Sequence, residues 1–439
     1  MGKKIIVAGL GHGGIAAAAQ LAKAGFDVTV YEKKKEGTLG YDWTDIFAPE
    51  ALAIAGMDMP PEDKYVYKED MSFYGPTSSK ALHQHIPENS LEIKMERRDI
   101  YEHFINYAVE NGVNIVYECA VEGPIVLGNR VVGIKTEKGD IYGDLVIDAC
   151  GINSPVRRNL PESFGIEKNV ARNEKISIYR AFFNVASDEE AVDKFKVMLF
   201  KGGELGINWI ASEDDHTDLL MGRFEDFGME DVEKFTKLLR KENPRLGEEV
   251  IRGGQFVEIP VRQPLSVMVA DGYAAIGDSA FMTVPLIGSG IANSLKASKI
   301  LARTIIKDKN RSFSADTLWN YQAAFYKELG AGLAPLAAVK LLLLSLTPDE
   351  VDYLFENEIL NDDLISIGGD FTGLSNLKID TKDIVNKAKQ VCSDAELLKK
   401  IIACGVRMGK VSAVCAMMPK KWNANRVKSW AKVYEYAFK

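Results

Sequence analysis

Six consecutive residues near the start of the chain, Gly9-Leu10-Gly11-His12-Gly13-Gly14, carry the spacing GxGxxG. They follow an apolar run over residues 3–8 and precede an alanine-rich segment that reads as a helix to about Ala24. In that setting Gly9 permits a tight turn, Gly11 a close approach of backbone to a diphosphate, and Gly14 close packing of helix on strand. The helix start offers unpaired N–H groups and the positive end of a dipole to phosphate oxygens. Glu32 ends the next strand, Asp27-Val28-Thr29-Val30-Tyr31-Glu32, where a carboxylate can accept hydrogen bonds from a ribose. Together these read as a dinucleotide site whose flanking residues include Lys33, and they leave open whether the nucleotide is NAD or FAD.

A second constellation lies far along the chain. Asp271-Gly272-Tyr273-Ala274-Ala275-Ile276-Gly277-Asp278 reads as a buried strand ending in Gly-Asp, and Pro285-Leu286-Ile287-Gly288-Ser289-Gly290-Ile291 leads into a long helix. A third runs from Leu145 to Arg157 and contains Asp148, Cys150 and Gly151. A fourth begins at Arg97, which heads a helix containing Tyr101 and Phe104. Asp278 by itself also reads as a helix N-cap.

Taken together, these blocks resemble the FAD-dependent oxidoreductases of the geranylgeranyl reductase and para-hydroxybenzoate hydroxylase type. The resemblance covers residues 1 to about 310 in scattered blocks and the remainder only loosely. It implies non-covalently held FAD, with Asp278 on the ribityl chain and Pro285, Gly288, Ser289, Gly290 and Ile291 at the flavin pyrimidine. It implies that Arg97 contacts the flavin nucleotide, that the Val121 backbone meets adenine, and that Gly151 lies in the cofactor site. Gly9, Gly11, His12, Gly13, Gly14, Glu32 and Lys33 complete the set. Two departures stand out: Cys150 occupies the place of an aspartate found in the hydroxylases, and Tyr101 replaces an expected aspartate. Cys150 reads as a small buried residue rather than a redox thiol.

On the substrate side the residues say less. Tyr41, Trp43 and Asp45 could line a flavin-facing pocket or belong to a packed loop, and Trp209 could line the same pocket or be core. No catalytic residue is assigned beyond these. The reading is a reductase or dehydrogenase that moves hydride between flavin N5 and a hydrophobic, isoprenoid-like substrate, the flavin carrying the chemistry. The alternatives are a flavin monooxygenase acting on a small aromatic, against which Cys150 counts, and a non-catalytic flavin-binding or ligand-carrier protein. No second GxGxxG marks a dedicated NAD(P)H domain.

These residues require an α/β frame: a Rossmann-like FAD-binding domain, an inserted antiparallel-sheet substrate domain, and a helical C-terminal region. Residues 1–48, 88–171 and 258–310 are expected to form the first, 49–87 and 172–257 the second, and 311–439 the third. Alternating segments such as Ile176–Val185 and Asp218–Phe224 suggest the antiparallel strands. A hairpin turn is expected at Lys138-Gly139-Asp140.

The 439 residues suffice for roughly two to three domains. At 46% hydrophobic and 26% charged, the composition excludes disorder and a small disulfide scaffold. Five cysteines without a CxxC pair read as free thiols, and the five histidines show no metal-ligand spacing. The glycine-rich opening does not fit a signal peptide, and the apolar stretch Ala331–Leu346 is broken by Pro335 and Lys340. The expected location is cytoplasmic, with peripheral membrane contact as a further option. From Lys399 onward ten lysines and arginines face one acid, Glu435, so the net charge of −8 leaves −17 on residues 1–398. Such a body does not suit nucleic acid. The basic tail suits an acidic electron donor such as a ferredoxin or flavodoxin, or an anionic membrane surface. The ordinary alternative is that its lysines lie over the protein's own acids.

Overall fold

The computed structural model describes residues 2–78, 80–88, 91–362, 386, 389 and 394–439. Cys392 and the expected helical pattern over 363–385 lie outside the described residues.

The opening sequence folds as its pattern requires. Lys4–Ala8 forms a strand whose side chains are buried from Ile5 on, and His12–Lys23 forms a helix that packs its alanines inward. Lys4–Ala8 sits inside a six-stranded sheet with parallel neighbours Asp27–Tyr31 and Leu145–Asp148. Beyond these lie Asn114–Val116 on one side, and Tyr273–Ala275 then Val269–Ala270 on the other. Only the Val269–Ala270 pairing is antiparallel. A parallel strand covered on both faces must be apolar throughout, as Ile5-Ile6-Val7 and Leu145-Val146-Ile147 are.

The register decides where chemistry can sit. Ala8 pairs with Asp148 and Tyr31, and Asp148 pairs with Ala275. Four strands therefore end side by side. The residues that follow them are Gly9, Glu32, Ala149–Gly151 and Gly277-Asp278, and the carboxyl edge of such a sheet is where ligands bind.

A seven-stranded sheet has the order Leu246–Pro260, Lys175–Val185, Thr217–Arg223, Gly206–Ser212, Phe195–Leu199, Ser72–Tyr74, Ala81–His83. Its pairings are antiparallel except that Ser72–Tyr74 runs parallel to Phe195–Leu199. Residues 37–87, rich in turn formers, also supply Thr44–Phe47 and Tyr65–Tyr67, which flank Ile93–Glu96 in a small antiparallel sheet. The hairpin near Gly139 forms one residue earlier than expected, since Thr136 pairs directly with Gly139. After the helix Ile291–Lys307 the described chain is mostly helical. Helices Ala395–Ala416 and Ala424–Tyr436 close it, with Trp430 and Tyr434 stacked at 5.3 Å inside the core.

Candidate active site

The glycine turn is built against the end of Leu145–Asp148. Gly9 has φ +81°, and a side chain on Gly11 would meet the Ala149 carbonyl oxygen at 2.7 Å. A side chain on Gly14 would lie 2.4 Å from the Ala149 methyl. The expected role of Gly14 in helix–strand packing is therefore observed. Gly11 is required by contact with the protein's own backbone, independent of any ligand. Gly13 faces Ile276 and Ser294, so the helix His12–Lys23 abuts the second glycine region directly. No side chain caps this helix, which leaves its first-turn N–H groups open to an anion.

Glu32 is buried, and each of its oxygens already accepts one backbone N–H: Oε2 from Leu10 and Oε1 from Lys34, both at 2.9 Å. A carboxylate oxygen has a second lone pair, so the anchored group can still accept from vicinal hydroxyls. Lys33, the next residue, is exposed. Val121 opens the strand Val121–Leu127, beside the Glu118–Cys119 segment that returns to Glu32 through Cys119 N–H to Glu32 O.

Asp278 accepts a 2.6 Å hydrogen bond from Thr283 Oγ1, and burial raises its carboxyl above the usual range against that hydrogen bond. Gly288 has φ +73°, and a side chain there would come within 3.2 Å of Ile259. The loop from Pro285 is closed by Val284 N–H to Ser289 O at 2.8 Å, and Ile291 then starts the helix, with Gly290 as an N-cap without side-chain capping. Gly151, at φ +80°, donates its N–H to Ser279 Oγ at 2.9 Å and has open space on its outer side.

Asp148 organises this edge from below. Its carboxylate is fully buried and receives Tyr273 Oη at 2.8 Å, Ser154 Oγ at 2.6 Å, Ser279 Oγ at 3.0 Å and Cys150 N at 3.1 Å. Burial and Asp148 push the Cys150 thiol well above its usual pKa, which suits the inert reading of that cysteine.

Arg97 is not a surface charge. Its guanidinium pairs with Asp45 in a two-pronged contact and stacks 5.0 Å from the Tyr41 ring and 5.6 Å from Trp43. Three pocket candidates from the 41–45 segment thus gather around the one arginine expected at the nucleotide. Asp45, expected as a pocket candidate, thus has its carboxylate engaged by Arg97. His12 packs 4.7 Å from Tyr101 and 5.6 Å from Phe104, and its Nε2 is buried without a partner. Burial, and then Arg97, lower its pKa to about 4.

Trp209 packs 5.6 Å from Phe195 and 5.1 Å from the Arg180 guanidinium, inside the sheet's apolar face. Arg180 was not foreseen. It pairs with Asp218, bonds Thr44 O and Oγ1, and stands 5.7 Å over Trp43, tying the 41–45 segment to the sheet. The signal was its parity: Arg180 alternates with Ile176, Ile178 and Phe182 on one buried face. Trp43 Nε1 and Trp209 Nε1 are both buried without an acceptor.

The donor set fits FAD on these observations: an uncapped helix start behind the glycine turn, an anchored carboxylate at Glu32, and the orphaned His12 Nε2. Asp278 and the glycine loop lie across the same edge. Among the described residues no group of His, Cys, Asp or Glu could hold a metal ion.

No family model matches the chain. It is 22% identical to the digeranylgeranylglycerophospholipid reductase of Sulfolobus acidocaldarius over 375 residues, 82% of this chain and 81% of that protein. It is 24% identical to the reductase of the same name from Haloferax volcanii over 348 residues, 73% of this chain and 82% of that one. The geranylgeranyl bacteriochlorophyll reductase-like protein of Thermoplasma acidophilum superposes with TM-score 0.71 at 19% identity, over 87% of this chain and 99% of that one. The chain is therefore similar to the geranylgeranyl reductases in both sequence and fold.

Proposed function

We propose that this protein is an FAD-dependent reductase that saturates a double bond in an apolar, isoprenoid-like chain. The observation that carries the reading is the meeting of Glu32, the Gly9–Gly14 turn and Asp278 at one edge of a sheet, in a chain similar to reductases of prenylated lipids. Bound FAD supplies hydride transfer at its N5. The protein's part is to hold and orient. The first turn of His12–Lys23 receives the diphosphate, Glu32 the adenosine ribose, and the Val121 backbone the adenine. Arg97 serves the nucleotide, Asp278 the ribityl chain, and Gly288–Ile291 the pyrimidine end.

On this reading the substrate is received where the Gly288 loop meets Ile259 of an apolar sheet face that also holds Ile178, Ile207 and Leu220, with Trp43 in the same cluster. Such a wall excludes water and offers no fixed charge, because Arg97 and Arg180 are each matched by a carboxylate. Tyr41 is protonated at neutral pH: burial raises its pKa, with Arg97 opposing and Asp278 adding to the effect. Its hydroxyl is proposed to donate the proton that accompanies the hydride and to regain one from solvent, to which the residue is 36% exposed.

The test is anaerobic. The FAD-loaded protein, reduced with dithionite, is mixed with prenylated acceptors and with small aromatic acids. Reoxidation by the prenylated compounds, with a saturated product by mass, supports the reading. Rapid bleaching by NADPH in the presence of an aromatic, followed by an oxygenated product, would overturn it in favour of a monooxygenase.

A further inference from the structure

The basic tail buries Trp430 and Tyr434 and turns Tyr436 and most of its cations outward. Trp430 donates Nε1–H to Val414 O at 2.8 Å, and Tyr434 donates to Pro264 O at 3.1 Å, fixing the last helix to the body. The single acid, Glu435, is spent on Ser266 Oγ at 2.7 Å. Lys399 and Lys400 pair with Glu396 and Glu350. Among the described residues no carboxylate pairs with Lys410, Lys420, Lys421, Arg426, Lys428 or Lys432. Among the described residues, then, Lys399 and Lys400 follow the ordinary reading in which the tail covers the protein's own acids, and the six cations of this face do not.

Apolar side chains stand among those cations. Val406, Lys410 and Ala413 fall at i, i+4 and i+7 on Ala395–Ala416, Met417 follows as its C-cap, and all four are exposed. Lys428, Lys432 and Tyr436 form the matching stripe of Ala424–Tyr436. The stripes meet where Lys410 Nζ sits 4.8 Å over the Tyr436 ring. Val406 is 67% exposed, Tyr436 65% and Met417 64%. Between the helices an open groove of about 730 Å³ is lined by Lys420, Lys421 and Arg426.

We propose that this two-helix face docks the protein on an anionic lipid bilayer. Cations bring the face to the surface, phosphate headgroups occupy the groove, and Val406, Met417 and Tyr436 enter the interfacial layer. A partner protein recognised by charge alone has no use for three exposed apolar side chains among the lysines. The −17 carried by residues 1–398 repels the same surface, so one orientation prevails. Among the described residues no single helix is long and apolar enough to cross a membrane, and the one bent pair that is, Ala315–Leu343 with Pro348–Glu356, lies outside this face.

The experiment is co-sedimentation of the full chain with vesicles of phosphatidylcholine alone, or of phosphatidylcholine with phosphatidylglycerol, from low to physiological ionic strength. The wild type is expected to bind only the anionic vesicles and to retain a salt-resistant fraction. Changing Lys420, Lys421, Lys428 and Lys432 to Gln should weaken binding by on the order of several hundredfold, given about 1 kcal/mol per cation near such a surface. Met417→Ser with Tyr436→Ser should remove the salt-resistant fraction and leave the low-salt binding. The wild-type salt series needs no variant and stands even if one misfolds. No sedimentation of the wild type at low salt, or equal binding to both vesicle types, overturns the proposal. Capture of an acidic protein without vesicle binding does the same.

Discussion

Arg97 and Asp45, 52 positions apart, meet in a bidentate pair with Nη2 2.6 Å from Oδ1, both side chains less than one-fifth exposed. The pair joins the start of a helix to the short strand Thr44–Phe47, and so fixes the 41–45 segment beside the nucleotide edge. A nearly buried arginine keeps its charge only with such a partner, because Coulomb attraction must offset desolvation. Tyr41 and Trp43 cover the guanidinium from the open side.

Asp45→Asn removes the charge and keeps the shape. Breaking a buried pair from one side typically costs about 3–5 kcal/mol, so this variant should unfold at clearly lower urea concentration. Asp45→Leu combined with Arg97→Met should recover much of that stability while FAD affinity stays low. An unaltered urea midpoint for Asp45→Asn would mean that the pair contributes nothing to the fold.

Asp148 ends the strand Leu145–Asp148 and Asp278 lies in the short 3-10 turn Gly277–Ala280 just past Tyr273–Ala275, at the same edge, yet they should respond differently to loss of their carboxylates. Asp278 has one protein donor, Thr283, so Asp278→Ala should leave the apoprotein nearly as stable and weaken FAD binding. Each lost hydrogen-bond partner is worth about 1–3 kcal/mol. Asp148 satisfies four buried donors. Asp148→Ala should therefore destabilise the whole protein by several such increments and lower the yield of folded chain. Thermal melts of the two apoproteins, beside titration of each with FAD, separate the outcomes.

Local pattern carried the opening strand–helix–strand unit of the fold. The apolar run before Gly9, the alanine helix and the strand ending at Glu32 need only neighbours in sequence, and they form within a residue or two of the reading. What escaped were pairings over distance. Ser72–Tyr74 joins a strand at Phe195–Leu199 in parallel, and nothing in a Pro- and Gly-rich segment announces that partner. Arg180 and Asp218 likewise look like two unrelated charges until the antiparallel register brings Phe182 opposite Asp218 and Arg180 opposite Leu220. The tail was legible in charge but not in which of its side chains are buried, because which face of a helix turns inward depends on the surface it meets.

The cofactor itself offers a direct check. Purified protein should be yellow and release FAD rather than FMN on heating, since the glycine turn and Glu32 are shaped for the adenosine half. NADPH should reduce the flavin slowly, with no aromatic acid accelerating it. A colourless protein that takes up NAD but not FAD would overturn the assignment of the whole edge.

His12 gives the sharpest pH test. Its imidazole lies against Tyr101 and Phe104, with Arg97 adding to the cost of a positive charge and Asp45 opposing it. The folded pKa of about 4 stands below the ordinary 6.5. Between those values the unfolded chain binds the proton and the folded chain does not, so stability rises with pH across the window and levels off above it. The full difference is about 3 kcal/mol, of which about 2 kcal/mol falls between pH 5 and pH 7.5. Urea unfolding of the apoprotein at those two pH values, in wild type and His12→Gln, isolates this group from every other titration. The wild type should gain about 2 kcal/mol more than the variant on going to the higher pH. Parallel profiles would show that the imidazole is solvated in the apoprotein. Repeating the series with FAD bound asks whether Nε2, unpartnered in the chain alone, finds its acceptor on the cofactor: the variant should then also lose FAD affinity at pH 7.5, where both imidazoles, folded and unfolded, are neutral.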